Sequence, residues 1–278
     1  MAHVATSDGC SIYWDEGGRG EPLLLLSGAG ASSEMWSEVR PAFEERHRVL
    51  IYDYRGVGKS DAPTEPPYSA EMFAADAIAV LDAAGVSRAH VYGGSMGGFV
   101  AQRLVLDYPH RVGAVVLGCT TVGKRGEPRP EESSARMRGE GDPAQRLQGF
   151  KDTLFTPAFQ AAQPELVARF VQRALTPKEP HVVRYNMSVR ENFDGWDELP
   201  SIKAPVLIIH GTDDRVCSVR NAQLLASRIP GAELHIIDGG RHGYILENHP
   251  EMTDFVLDFL ARHPLENEPA AHSSARTR

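Results

Sequence analysis

The chain has 278 residues, with 29 Lys and Arg against 37 Asp and Glu, a net charge of −8. That balance, without any basic cluster, excludes nucleic acid as a partner. Three cysteines with no CxxC spacing exclude a disulfide framework and a zinc signature, and apolar runs such as "PLLLL" are far too short to span a membrane. With no apolar leader in "MAHVATSDGC", the chain is expected to be cytoplasmic.

The first patterned segment, "SIYWDEG", alternates apolar and polar residues and predicts an antiparallel edge strand. "PLLLLSG", "HRVLIYD", "AHVYGG", "VGAVVLG", "PVLIIHG" and "AELHIID" follow along the chain. Most are continuous apolar runs, as expected of strands covered on both faces, hence a mostly parallel sheet. Between them lie helical stripes. Phe73, Ala77, Val80, Leu81 and Ala84 repeat at helical spacing, with Ser69 as the expected N-cap and Gly85 as the expected stop. Met252, Phe255, Val256, Phe259 and Leu260 form a last stripe, with Pro250 at its expected first position. The alternation of strands and helices makes the class α/β.

From 121 to 201 no such strand run occurs. "GKRGEPRPEESS" reads as a loop, and then Leu166, Phe170, Val171 and Ala174, and the stretch 182–189, carry helical patterns. This span is too long for a plain loop. It is expected to form a helical cap over one end of the sheet, leaving a core of residues 1–120 and 202–262. The polar stretch 263–278 lacks periodicity and is expected to be a disordered tail.

"VYGGSMGGFV" places Ser95 where an apolar strand ends and a helix begins. Gly93, Ser95 and Gly97 spell G-x-S-x-G. A sharp turn at this position puts the serine in a strained conformation with its hydroxyl exposed, and the flanking glycines remove side chains that would collide. The Met96 N–H sits at the start of the helix that follows, where the partial charge is positive.

With this turn the chain resembles the α/β-hydrolase-fold superfamily, in its capped serine-hydrolase branch. The resemblance covers about 22–119 and 204–260 and does not extend to the cap. It implies a mostly parallel eight-stranded sheet with the cap inserted after the sixth strand. It also implies a triad in the chain order Ser, acid, His. After "PVLIIHG", the stretch "TDDRVCSV" resembles the family's acid loop, with Gly211, Asp214 and Val216 in register; Asp213 is the competing carboxylate. After "AELHIID", the resemblance selects His242, in a glycine-bracketed loop followed by Glu247 and Pro250, as general base and then acid. His210 and His235 lie in strands and are read as structural. The backbone N–H groups of Met96 and Ala29 are the implied oxyanion donors. Ser27 stands where histidine is commoner, as it also does in 3-oxoadipate enol-lactonases. "YDYRGVGKSDAP" resembles a further signature, in which Asp53 and Arg55 are expected to tie the loop together.

The resemblance thus implies hydrolysis of a carboxylic ester or lactone through an acyl-enzyme, without metal or organic cofactor. A small-molecule substrate is the expected partner, and a homodimer is left open. Leu147, Phe150, Leu154, Phe155, Phe170 and Val171 are expected to pack the cap and line a largely apolar pocket, and Arg215 and Arg241 adjoin the triad positions. Serine at the turn argues against epoxide hydrolases and haloalkane dehalogenases, which use aspartate there. C–C bond hydrolysis, a biosynthetic methyl esterase or cyclase, and a non-catalytic ligand-binding protein are the alternatives.

Overall fold

The structure is a computed structural model that describes residues 2–65, 67–129, 131 and 142–265. The strands are β1 (Ala2–Ala5), β2 (Ser11–Gly18), β3 (Glu21–Leu26), β4 (His47–Tyr52), β5 (Ala89–Gly94), β6 (Val112–Gly118), β7 (Val206–Gly211) and β8 (Glu233–Ile237). They form one eight-stranded sheet in the order β1-β2-β4-β3-β5-β6-β7-β8. Only the β1–β2 and β2–β4 pairs are antiparallel.

The apolar runs are continuous because both faces are covered. Leu24 and Leu26 of β3 pack into one core, while Leu23 and Leu25 pack into a second on the opposite face. The first core lies under α2 (Ala70–Ala83), α3 (Met96–Asp107) and α8 (Arg220–Arg228), and the second under α1 (Arg40–Glu44), α9 (Tyr244–Glu247) and α10 (Glu251–Ala261). Each fully buried leucine contributes about 1.5–3 kcal/mol of transfer free energy. Ser69 caps α2 by accepting from the Met72 N–H, and Gly85, at φ +67°, follows its last turn. The last helix starts at Glu251, with Pro250 as its N-cap rather than its first residue.

One strand reading needs correction, and one strand went unread. "SIYWDEG" is antiparallel but is not an edge, because β1 pairs outside it. At four residues, "AHVA" is too short to show a period in the sequence, and it becomes a strand only by pairing with β2. At the opposite edge β8 alternates in burial, leaving Leu234 and Ile236 exposed.

Between β6 and β7 the described residues include the α-helices α4 (Pro143–Leu154), α5 (Pro157–Ala162), α6 (Pro164–Ala174) and α7 (Pro180–Asn192). Each begins with proline, whose missing N–H costs nothing in the first turn. Asp142 and Gln145 form a capping box at α4, and Thr156 caps α5. Part of the polar loop before α4 lies outside the described residues. So does the tail beyond 265, although the Leu265 N–H donates to Glu21 Oε1 at 2.9 Å.

The Arg55–Asp53 tie does not form. Arg55 instead makes a bidentate pair with Asp76 of α2, at 2.6 and 2.7 Å, and also bonds Asp8. Asp53 accepts the N–H groups of Ser33 and Lys59 at 2.7 and 2.9 Å, so its oxygens are already occupied.

Candidate active site

Ser95 joins β5 to α3 at φ +56°, ψ −118°, a strained backbone for a residue with a Cβ. The turn is held by its neighbours: Ser95 N–H donates to Gly118 O at 2.8 Å, and Thr120 Oγ1 donates to Ser95 O at 2.8 Å. The two glycines of the motif are steric requirements. A Cβ on Gly93 would lie 2.2 Å from Gly97 O, and one on Gly97 would lie 2.3 Å from Leu26 O. Gly97→Ala therefore has to displace the end of β3 and the loop that carries Ala29. We expect about 1–3 kcal/mol of destabilisation, read as a lower urea midpoint, together with impaired turnover. An unchanged midpoint and rate would show that the close approach is not a constraint.

The loop after β3 is anchored without a histidine. Ser27 is buried and its Oγ donates to Ser32 O at 3.3 Å, while the Gly28 N–H points at Met35 Sδ, also at 3.3 Å. Among the described residues the Ala29 and Met96 N–H groups have no acceptor.

Asp214 follows β7 and is wholly buried. Its Oδ1 accepts from Val216 N and Cys217 N at 2.8 and 2.9 Å, and its Oδ2 lies 2.8 Å from His242 Nδ1. Burial alone would raise the Asp214 carboxyl, but the histidines beside it outweigh that and hold it well below the usual carboxylate range. A carboxylate on Nδ1 fixes the tautomer of His242 and turns Nε2 outward. The competing Asp213 faces away and bonds Arg241 Nε at 2.9 Å, with Arg215 at 3.5 Å. Arg241 also donates to the carbonyls of Asp152 and Phe155 at 2.7 and 2.8 Å, so it fastens the histidine loop to α4. Glu247 makes a second fastening by accepting from the Thr156 N–H and hydroxyl. Neither Arg215 nor Arg241 lines the cavity, although both adjoin triad positions in the sequence.

Ser95 and His242 face one cavity of about 160 Å³, though no hydrogen bond joins them. Serine–base contacts of this kind often tighten only when substrate is bound. The rest of the lining is almost entirely apolar and includes Met35, Phe150, Leu154, Phe170, Ile245 and Leu246. Among the described residues no Asp, Glu, Lys or Arg side chain lines it. Of the other expected pocket residues, Phe155 and Val171 are buried in a cluster with Leu154, Val167 and Leu246, and Leu147 is exposed.

Sequence reasoning missed two residues here. Cys119, at φ +40° where β6 ends, lines the cavity beside Ser95; burial, with the Asp214 charge nearby, holds its thiol well above the usual range and so neutral. Nothing in the sequence marks it. The second is His210, whose Nε2 lies 3.2 Å from Asp214 Oδ2, a contact its reading as a strand residue did not foresee. Its spacing of four residues before the acid, at a strand end, was the only available signal.

Residues 21–248 match the family described as alpha/beta hydrolase fold. A relative from Stutzerimonas stutzeri, provisionally named carbamate hydrolase RutD, is 29% identical over 90% of this chain and 97% of its own length. A 2-hydroxy-6-oxononadienedioate/2-hydroxy-6-oxononatrienedioate hydrolase from Paraburkholderia phymatum is 31% identical over 90% of each chain. Among solved structures, the enol-lactonase from Burkholderia xenovorans LB400 superposes with a TM-score of 0.81 at 25% identity, covering 94% of this chain and 100% of the other.

Proposed function

Because this chain belongs to the α/β-hydrolase fold family, we propose that it is a serine hydrolase of small to medium, mostly apolar carboxylic esters or lactones. The observation that carries this reading is the cavity itself: an apolar chamber with Ser95 and His242 on its wall and Asp214 bonded to the far side of the imidazole.

Ser95 Oγ attacks the substrate carbonyl carbon while His242 Nε2 takes the hydroxyl proton, and Asp214 stabilises the imidazolium that forms. The tetrahedral oxyanion accepts from the Ala29 and Met96 N–H groups, the preorganised dipoles that supply the largest share of such catalysis. The C–O bond then breaks as His242 returns its proton to the leaving alkoxide. Water, deprotonated by the same imidazole, attacks the acyl-enzyme, and the proton passes back to Ser95 as the acid is released. No metal or organic cofactor takes part in these steps.

A cavity of roughly 150 Å³ accommodates a benzene-sized guest, so this chamber suits an acyl group of about six carbons. The dioate named for the P. phymatum relative would bring carboxylates that find no Arg or Lys on this lining. A panel of neutral esters and lactones graded in size, run beside their dicarboxylate counterparts, tests the reading. Turnover should peak near the six-carbon acyl group and fall sharply for dianions, and a serine-directed phosphonate should label Ser95. Preference for short dianionic substrates would sink the apolar-pocket reading. Tight ligand binding without turnover or labelling would indicate a binding protein.

A further inference from the structure

We propose that His210 is a positioning residue, an imidazolium that shares the Asp214 carboxylate with His242 and so limits how strongly that carboxylate holds a proton on His242. The proposal rests on the triad reading above. His210 is fully buried at the end of β7. Its Nε2 faces two acceptors, Cys217 O at 2.8 Å and Asp214 Oδ2 at 3.2 Å, so that nitrogen carries hydrogen in either charge state.

The charge follows from what surrounds Asp214. Its partners are two backbone N–H groups and two imidazoles; no Lys or Arg bonds it among the described residues. Arg129 acts on it only from a distance, and Cys119 and Tyr244 beside it are kept neutral by burial. Cys217 is the remaining titratable group against His210. A buried carboxylate without a counter-charge is costly. His242 must be neutral at rest to act as a base, so His210 is the cation in direct contact that can balance the charge, with Arg129 acting from further away. Burial would push the His210 imidazole down, but its bonds to Asp214 and to the Cys217 carbonyl reverse this and hold it up at about 10. Its Nδ1 has no partner among the described residues. That unsatisfied N–H is the cost the charged form carries in exchange for balancing the buried Asp214 carboxylate.

The test is the pH profile of kcat/KM for wild type and His210→Gln, which keeps an N–H donor but removes the charge. Without the second cation, Asp214 favours a proton on His242 more strongly. The acid limb should therefore move to higher pH by about one unit, with the plateau rate changed only a few-fold. A lowered plateau with the limb unmoved would mean a merely structural role and overturn the proposal. If the variant does not fold, or if no substrate turns over, ¹⁵N shifts of labelled wild-type protein decide independently of the hydrolase reading. Both His210 nitrogens should be protonated at pH 7, and a neutral tautomer there refutes the inference.

Discussion

Replacing Ser95 with alanine is expected to lower kcat by on the order of a million-fold while leaving the fold and its urea midpoint close to wild type. The two effects separate because the Ser95 hydroxyl makes no hydrogen bond among the described residues, whereas its backbone is held by Gly118 and Thr120. Alanine keeps the Cβ, so the strained turn at φ +56° is neither relieved nor worsened. Binding and the oxyanion donors remain, and these alone leave a residual acceleration over water of roughly 10³–10⁴. Circular dichroism and urea unfolding check the fold, and steady-state kinetics on the best ester of the panel check the rate. A folded variant that kept kcat within tenfold of wild type would place the nucleophile elsewhere.

The second large effect expected is at Asp214. Asp214→Asn should reduce kcat by about 10⁴-fold, and Asp213→Asn by no more than a few-fold. In Asp214→Asn, one orientation of the amide keeps an oxygen toward Val216 N and Cys217 N but turns its NH₂ toward His242 Nδ1 and His210 Nε2. Two donors then face each other, and His242 adopts the tautomer that leaves no base toward the cavity. Flipping the amide restores the histidine contact but loses the loop's own bonds. Asp213 has no such role: it is partly exposed and pairs with Arg241 and Arg215. The ranking of the two asparagine variants, measured on one substrate under saturating conditions, decides the matter. Equal losses, or the reverse order, would move the acid to Asp213.

What the sequence determined by itself is what short windows encode. The turn at Ser95 is local: an apolar strand, G-x-S-x-G and a helical stripe lie within about twenty residues, and backbone sterics at Gly93 and Gly97 leave little else for that stretch to do. The central strands were legible for the same reason, since burial on both faces removes polar residues from consecutive positions. Ser69 and Gly85 marked the ends of their helix through side-chain capping and positive φ, which act within one turn. Tertiary structure alone decided the rest. β1 exists only because β2 accepts it, as four residues carry no readable period. Arg55 chose Asp76, 21 residues away, over its neighbour Asp53, because packing α2 on the sheet buries that carboxylate beside the guanidinium. Which residues between β6 and β7 face the cavity was likewise undecided in one dimension: Phe150 and Phe170 do, while Phe155 and Val171 turn into a cluster with Leu154, Val167 and Leu246. Apolar periodicity states that a helix has a buried face, but the partner that covers that face is fixed only when the elements dock.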